Sequence, residues 1–316
     1  MEPPELIANL TDVSRSRAME VEPLGYYIKE APMCIRVRLT RTVLVAALIG
    51  SAVIAVTPAR ADCAPAHFYH CSPGQEAPFA NDPNCTSPGK SPVVLVHGTY
   101  TDQTMSWNLF GPALHNAGYC IWSLDYGDRA TASMEVSIHQ ITDFVVNTVL
   151  PTSSTEKVSL IGHSQGGLQI RHMLRHDDTI PVDDAISLAG SHYGTTVFAA
   201  PWAAQYGGCP ACGEQVAGST WMTGHMNAAL EDATPGEFTS YTQIETKYDE
   251  VVTPYTNTFL PAESGVVTNI TLQDKCPADS YEHVGIIYDA NALGWVLNAL
   301  ATTGPADPTF VPTGCQ

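Results

Sequence analysis

One ten-residue stretch constrains the fold of this chain more than any other. Residues 158–167 read Val-Ser-Leu-Ile-Gly-His-Ser-Gln-Gly-Gly, an apolar run ending in the pattern Gly-x-Ser-x-Gly, and residues 168–175 continue with apolar residues at helical spacing. A buried strand, a tight turn and a helix are therefore predicted in that order. In this context the turn is a nucleophile elbow, which projects the hydroxyl of Ser164 into a cleft. We expect side chains at Gly162 or Gly166 to collide with the neighbouring strand and helix.

The rest of the chain alternates between predicted strands and helices around this elbow. Alternation of this kind predicts right-handed crossovers and a mainly parallel sheet flanked by helices, an α/β fold. Residues 192–236 interrupt the rhythm with glycine-rich loops and a possible helix near 219–230, and we interpret them as an insertion that caps the site. The other strands are predicted at 92–98, 119–126, 184–190, 238–246 and 266–272, and the other helices at 107–117, 134–150 and 286–300.

A serine hydroxyl is a poor nucleophile near neutral pH, so Ser164 needs a base and an acid that orients the base. In folds with this elbow, the order along the chain is Ser, then Asp or Glu, then His. His283 follows every plausible acid and lies on a loop beyond the last predicted strand. Asp249 follows the predicted strand at 238–246, the one before the last strand, and is the expected acid. Glu250 and then Asp274 are the alternatives.

Four other histidines follow Ser164 in the chain, and none of them fits the expected order. His172 and His176 lie on the helix after the elbow and are predicted to face away from the hydroxyl. His192 comes earlier in the chain than every acidic residue that lies at a suitable strand end. His225 lies in the insertion, where a surface position is expected. The sequence therefore favours His283 as the base.

The negative oxygen that forms on attack needs two backbone N–H donors. Gln165, the residue after the nucleophile, is one expected donor, and Thr99, in the loop after the first predicted strand, is the other. His97 and His163 are interpreted as structural residues that hold this loop and the elbow. Chemistry of this kind needs no cofactor and no metal, and the absence of a second Cys-x-x-Cys pair argues against zinc.

Further motifs accompany the elbow. Residues 93–99 read Val-Val-Leu-Val-His-Gly-Thr, residues 246–255 read Thr-Lys-Tyr-Asp-Glu-Val-Val-Thr-Pro-Tyr, and residues 282–283 are Glu-His. Together with Gly118–Gly127, Gly194-Thr-Thr, Cys209–Gly218 and Leu272–Pro277, these stretches resemble the secreted actinobacterial triacylglycerol lipases of the class 2 lipase family, within the α/β-hydrolases. The match spans about residues 85–300, and the stretch at 246–255 is its most specific part.

The resemblance implies an α/β-hydrolase fold and carboxylic ester hydrolase activity, with a lipid or other ester as substrate. It places the nucleophile at Ser164, the acid at Asp249 and the base at His283, in agreement with the chain order. The alternatives are other acyl hydrolases on the same scaffold: a carboxylesterase of short-chain esters, a polyester depolymerase or a thioesterase. A non-catalytic secreted binding protein is a further alternative, which the intact Ser, Asp and His argue against.

The first sixty-one residues are predicted to lie outside the folded domain. Residues 33–41 are basic, residues 42–56 are apolar and uncharged, and Ala59-Arg-Ala61 offers a cleavage site. This order is typical of a secretory signal peptide cleaved after Ala61. An uncleaved anchor is the alternative, although the apolar run is shorter than the roughly 20 residues of a bilayer-spanning helix. Residues 1–32 are interpreted as an over-long start, which leaves residues 62–316 as one mature, secreted domain.

The net charge limits which partners this domain can bind, and the cysteine count predicts disulfides. The formal net charge is −18, which argues against binding of nucleic acid and against a basic patch for anionic membranes. We expect a monomer without stable membrane insertion after cleavage. The eight cysteines after residue 61 predict disulfides in an exported protein. The pairings considered are Cys85–Cys120, Cys63–Cys71 and Cys276–Cys315, with a local bridge favoured over a redox role for Cys209 and Cys212.

Overall fold

The computed structural model describes residues 75–197, 199–226, 234–236, 239–262 and 266–315. The predicted start at 1–32, the predicted signal peptide at 33–61 and the proposed pairing of Cys63 with Cys71 lie outside the described residues. Within the described residues, no helix has both the length and the apolar character needed to span a membrane.

A six-stranded parallel sheet forms the centre of the domain. Its order is β2-β1-β3-β4-β5-β6, and each neighbouring pair runs parallel. Every residue of β1 to β3 is buried, as expected for strands covered on both faces. The strands lie within two residues of their predicted bounds: Val93–Val96 (β1), Ile121–Leu124 (β2), Val158–His163 (β3), Val182–Leu188 (β4), Ser240–Glu245 (β5) and Val267–Thr271 (β6).

Helices connect the strands and cover the sheet. Helix α5 starts directly after the elbow, as predicted, and a helix closes the fold near the C-terminus. The α-helices are Gln103–Ser106 (α1), Phe110–Asn116 (α2), Gly127–Ala130 (α3), Met134–Asp143 (α4), Gln165–His176 (α5), Ala199–Tyr206 (α6), Pro210–Glu214 (α7), Leu272–Lys275 (α8) and Ala290–Ala301 (α9). Short 3-10 segments lie at Leu150–Thr152, Tyr255–Thr258, Gly285–Tyr288 and Thr313–Cys315, and π-helical turns at Phe144–Val149 and Met222–Met226.

The observed helix ends differ from the predicted ones where a polar side chain caps the helix. The last helix begins at Ala290 rather than at residue 286, because the Asp289 carboxylate accepts the N–H groups of Asn291 and Ala292. The helix predicted at 107–117 is preceded by α1, which the Asp102 side chain caps. Of the helix predicted near 219–230, the described residues show a helical stretch that ends in the π-helical turn Met222–Met226, and residues 227–233 lie outside the described part.

Apolar side chains fill both faces of the sheet. Ile161 of β3 joins a cluster with Phe110 of α2 and Trp295 of α9, whereas the adjacent Leu160 joins a cluster with Ile138 of α4 on the opposite face. This alternation is that of a pleated strand. A third cluster, which includes Leu168, Trp221 and Met222, packs the insertion against α4 and α5. The two main clusters fix β3, and with it the position of the elbow.

Disulfide bonds join three pairs of cysteines within the described residues. The bonds are Cys85–Cys120, Cys209–Cys212 and Cys276–Cys315. The three corresponding pairings from the sequence are confirmed, and the Cys-Pro-Ala-Cys motif is a local bridge around the start of α7. The bond from Cys85 ties the segment before β1 to the start of β2, and the bond to Cys315 ties down the C-terminal segment.

Candidate active site

Ser164 occupies a sharp turn between β3 and α5. Its backbone φ of 54° and ψ of −121° are strained for a residue with a side chain, at a cost of about 1–3 kcal/mol. A Cβ at Gly162 would overlap the backbone of Gly166 and Gly167 at the start of α5, and a Cβ at Gly166 would overlap the Val96 carbonyl of β1. The collisions predicted from the sequence are therefore found, and they explain why glycine flanks the serine on both sides.

A chain of two hydrogen bonds links Ser164, His283 and Asp249. The Nε2 atom of His283 lies 2.9 Å from Ser164 Oγ, and its Nδ1 lies 2.6 Å from Asp249 Oδ2. All three residues are buried. The structure thus brings together the three residues that chain order singled out. Because a carboxylate only accepts, the His283 ring donates from Nδ1 and leaves Nε2 able to take the serine proton.

The carboxylate of Asp249 is held in place by the backbone. Its Oδ1 accepts the N–H groups of Val251 and Val252 at 2.8 and 2.7 Å, which leaves Oδ2 for His283. The alternative acids, Glu250 and Asp274, are exposed. The hydrogen bond from His283 goes to Asp249 instead, because the turn after β5 points this carboxylate inward.

Two further histidines support the loops that carry the site. His163 donates from Nε2 to the carbonyl of His283 at 2.9 Å, and burial lowers the pKa of His163 to about 3, so its ring is neutral. The carbonyl of His97 accepts the Tyr126 hydroxyl at 2.6 Å, and the two rings stack with centroids 4.4 Å apart. These contacts fix the backbone of the loop that carries His283 and of the loop after β1.

Thr99 and Gln165, the oxyanion donors expected from the sequence, both lie beside Ser164. Thr99 lines the same cavity as Ser164, and Gln165 begins α5 immediately after the serine. Neither backbone N–H donates a hydrogen bond to any described part of the chain. The Thr99 Oγ1 accepts from the side-chain amides of Gln165 and Gln215 at 3.0 and 3.3 Å. Because both contacts use the oxygen as acceptor, the hydroxyl hydrogen of Thr99 is left to donate to a third group.

The serine opens into a cavity of about 430 Å³ with mostly apolar walls. Ser164 and His283 line it together with Thr99. Part of the wall comes from the insertion between β4 and β5, and part from the loop after Asp249. The aliphatic lining residues are Val197, Ala200, Ala203, Val251, Val252 and Val284. The arrangement suits an apolar acyl group placed beside a nucleophile.

Glu245 was not singled out from the sequence, yet its charge interacts with that of Asp249. It is fully buried at the end of β5 and accepts the Thr246 N–H at 2.6 Å and the Thr258 hydroxyl. Burial, and then the nearby charge of Asp249, raise the pKa of Glu245 well above its ordinary value. The two carboxyl groups lie close together, so the negative charge of Asp249 opposes ionisation of Glu245. The sequence carries no signal for Glu245, because polar residues are expected at alternate positions of the strand predicted at 238–246.

Comparison with known proteins identifies the fold. A sequence-family profile described as Palmitoyl protein thioesterase matches residues 92–243, and no curated protein sequence matches the chain. The crystal structure of Aspergillus fumigatus lipase B superposes with a TM-score of 0.61 at 22% identity, covering 74% of this chain and 57% of that chain. Bacillus licheniformis lipase BlEst2 in its propeptide form gives a TM-score of 0.48 at 16% identity, covering 76% of this chain and 55% of that chain.

The chain thus spans a little over half the length of each of these two lipases. An α/β-hydrolase enzyme from the metagenome of lagoon sediments at Mar Chica, Morocco, gives a TM-score of 0.47 at 14% identity, covering 67% of this chain and 90% of that chain. With its six parallel strands flanked by helices, the domain has an α/β-hydrolase fold.

Proposed function

We propose that this protein is a serine carboxylic ester hydrolase, and that it acts as a lipase on acylglycerols or other fatty acyl esters. The observation that carries the proposal is the chain of hydrogen bonds from Asp249 through His283 to Ser164. This chain ends at the wall of a mostly apolar cavity. The likeness of motifs at 93–99, 162–167 and 246–255 to class 2 lipases supports the same assignment.

The proposed reaction passes through an acyl-enzyme. His283 Nε2 takes the proton of Ser164 as Oγ attacks the ester carbonyl, and Asp249 holds the ring in the required tautomer. The N–H groups of Thr99 and Gln165, with the Thr99 hydroxyl beside them, stabilise the negative oxygen. His283 then protonates the departing alcohol. Water enters, loses a proton to His283 and releases the acid, which restores the free serine.

Cleavage of thioesters is the second candidate function, because the family profile that matches residues 92–243 is that of palmitoyl protein thioesterases. The same serine, histidine and oxyanion donors serve both reactions, and only the leaving group differs. The leaving-group side of the cavity therefore decides between them, whereas the aliphatic wall formed by Val251, Val252 and Val284 serves the acyl chain in both cases.

The decisive experiment compares leaving groups at constant acyl chain. Secreted protein is assayed with nitrophenyl esters from acetate to palmitate, with emulsified triglyceride and with a palmitoyl thioester, and the Ser164→Ala variant is the control. Hydrolysis of triglyceride with kcat/KM rising with chain length supports the lipase, whereas a preference for the thioester supports the second candidate. If a fluorophosphonate probe fails to label Ser164, the serine mechanism itself is wrong.

We also propose that the protein is secreted after cleavage following Ala61. The disulfides at Cys85–Cys120 and Cys276–Cys315 support this, because such bonds persist in oxidising compartments. N-terminal sequencing of protein from the culture medium tests the proposal. A sequence that begins at Asp62 supports it, and retention of residues 42–56 contradicts it.

A further inference from the structure

Away from Ser164, three side chains from three separate elements converge where the insertion meets the core. Glu135 lies on α4, His172 on α5, and His225 on the π-helical turn Met222–Met226. The possible ligand atoms of the three residues all lie within 4.8 Å of one another. His172 is eight residues from Ser164, which places it about 12 Å further along α5. The cluster is therefore separate from the proposed catalytic residues.

Two of the separations within the cluster are compatible with metal ligands, and neither of these contacts is a hydrogen bond. Glu135 Oε1 lies 3.4 Å from His172 Nε2 and 3.4 Å from His225 Nδ1. Ligand atoms that share a tetrahedral zinc ion, at bonds of about 2.0–2.2 Å, lie about 3.3–3.5 Å apart. Both separations from Glu135 fall in this range, and the two histidine nitrogens lie within 4.8 Å of each other.

The orientation of His172 leaves a lone pair directed at Glu135. Its Nδ1 faces the side-chain oxygen of Gln169 at 3.4 Å, and the Gln169 amide nitrogen is in turn held by the Met134 carbonyl at 3.2 Å. Because the amide oxygen only accepts, the ring hydrogen lies on Nδ1. His172 Nε2 is buried and makes no hydrogen bond within the described residues.

Neighbouring side chains hold His225 in place. Its ring stacks on Trp221 with centroids 5.2 Å apart and planes within 10°, and the Trp221 edge meets His172 at 4.9 Å. Arg175 donates from Nε to the His225 carbonyl at 2.9 Å. The Trp221 indole N–H also faces Glu135 Oε1 at 3.4 Å. These contacts fix the position of the His225 ring beside Glu135.

We propose that Glu135, His172 and His225 bind one Zn²⁺ ion, with water as the fourth ligand. Imidazole and carboxylate ligands in tetrahedral arrangement favour zinc over magnesium or calcium. The ion joins the insertion to α4 and α5, beside the apolar cluster that contains Met222 and Leu168. Because the same insertion supplies Val197, Ala200 and Ala203 to the cavity wall, the role of the ion is to stiffen that wall.

Calorimetric titration of the secreted protein with zinc, after dialysis against a chelator, tests the proposal. We expect one equivalent to bind, and we expect His225→Ala and Glu135→Gln each to weaken binding by about tenfold or more. His225 is half-exposed and Glu135→Gln is isosteric, so both variants are expected to fold, which circular dichroism checks. His115→Ala is the matched control, because it removes an exposed histidine on α2 and leaves the cluster intact.

Thermal unfolding provides an independent readout. Zinc, but not magnesium, is expected to raise the melting temperature of the wild type and of His115→Ala, and to leave that of His225→Ala unchanged, because a ligand stabilises only the state that binds it. Two outcomes would overturn the proposal. One is the absence of one-equivalent binding at micromolar zinc, and the other is equal affinity in the wild type and both cluster variants, which would put the ion elsewhere.

Discussion

Asp249 Oδ2 lies 2.6 Å from His283 Nδ1, while its second oxygen accepts two backbone N–H groups. All three partners of this carboxylate are donors, and an amide at this position can accept from only one side. Asp249→Asn must therefore turn its NH₂ group toward either His283 or the N–H groups of Val251 and Val252. We expect kcat to fall by about 10⁴-fold with little change in KM, because the histidine tautomer is lost. Steady-state hydrolysis of a nitrophenyl ester measures this.

Glu250→Gln is the control for this prediction. Glu250 is the neighbour of Asp249 but is exposed, so its replacement is expected to leave kcat within about twofold, since exposed charges are strongly screened. A large loss in Glu250→Gln together with a small loss in Asp249→Asn would show that Glu250, and not Asp249, is the acid.

The Thr99 hydroxyl offers a test of the oxyanion donors. Its oxygen accepts from the amides of Gln165 and Gln215, so its hydrogen is available to a substrate oxyanion. Thr99→Val keeps the shape and the backbone N–H but removes the hydroxyl. We expect kcat to fall by no more than the 10²–10³-fold typical of one lost donor, and by less than in Ser164→Ala. Thr99→Ser, which keeps the hydroxyl, is expected to retain most activity, and equal losses in both variants would contradict a donor role.

The fold and the residues around Ser164 were accessible from sequence because their signals are local. Strands β1 and β3 contain short apolar runs, β5 alternates between polar and less polar residues, and the glycines around Ser164 reflect collisions with adjacent backbone. Asp249 and His283 followed from chain order, since parallel strands deliver their following loops to one edge of the sheet. These three catalytic roles remain predictions until the variants are measured.

Residues whose environment depends on tertiary contacts were missed. Glu245 sits in an ordinary strand pattern, and only the burial beside Asp249 sets it apart. His225 was expected at the surface, and its side chain is in fact 45% exposed, but its other side packs on Trp221 and faces Glu135. Glu135, His172 and His225 are up to 90 positions apart in the chain, without the short spacing of a metal motif. The convergence of three elements is visible only once the helices are packed.

Glu245 is expected to keep its proton to a higher pH in the folded protein than in the unfolded chain, and this gives a pH-dependent test. Its pKa is raised well above 4.5 by burial, so the folded state keeps a proton that the unfolded state releases. Stability from this group is thus present below about pH 4.5 and declines as pH rises toward the folded pKa. Glu245→Gln cannot ionise, so its stability relative to the wild type is expected to increase with pH. Urea unfolding at pH 5 and pH 8 measures the difference.

Comparing Glu245→Ala with Glu245→Gln separates the effect of the hydrogen bonds of Glu245 from the effect of its charge. Removing the side chain leaves a cavity beside Asp249 and takes a partner from Thr246 and Thr258, so we expect a loss of about 2–4 kcal/mol in stability together with lower kcat. Activity close to the wild type in Glu245→Gln, with loss in Glu245→Ala, is the expected pattern. Loss in both variants would mean that the carboxylate form is the one required.

His192 is expected to give the opposite pH dependence. Burial lowers its pKa from 6.5 to about 3, and its Nε2–H donates to the Gln243 side chain at 2.6 Å. Between pH 6.5 and about pH 3, His192 binds a proton in the unfolded chain but not in the folded one. The folded state is therefore destabilised relative to the unfolded state as the pH falls from 6.5 toward 3. In His192→Gln the amide can still donate to Gln243 but cannot titrate. We therefore expect urea midpoints at pH 7 and pH 4.5 to lie closer together in this variant than in the wild type, and exposed His115→Gln to leave the wild-type difference unchanged. An undiminished difference in His192→Gln would mean that other groups cause the acid sensitivity.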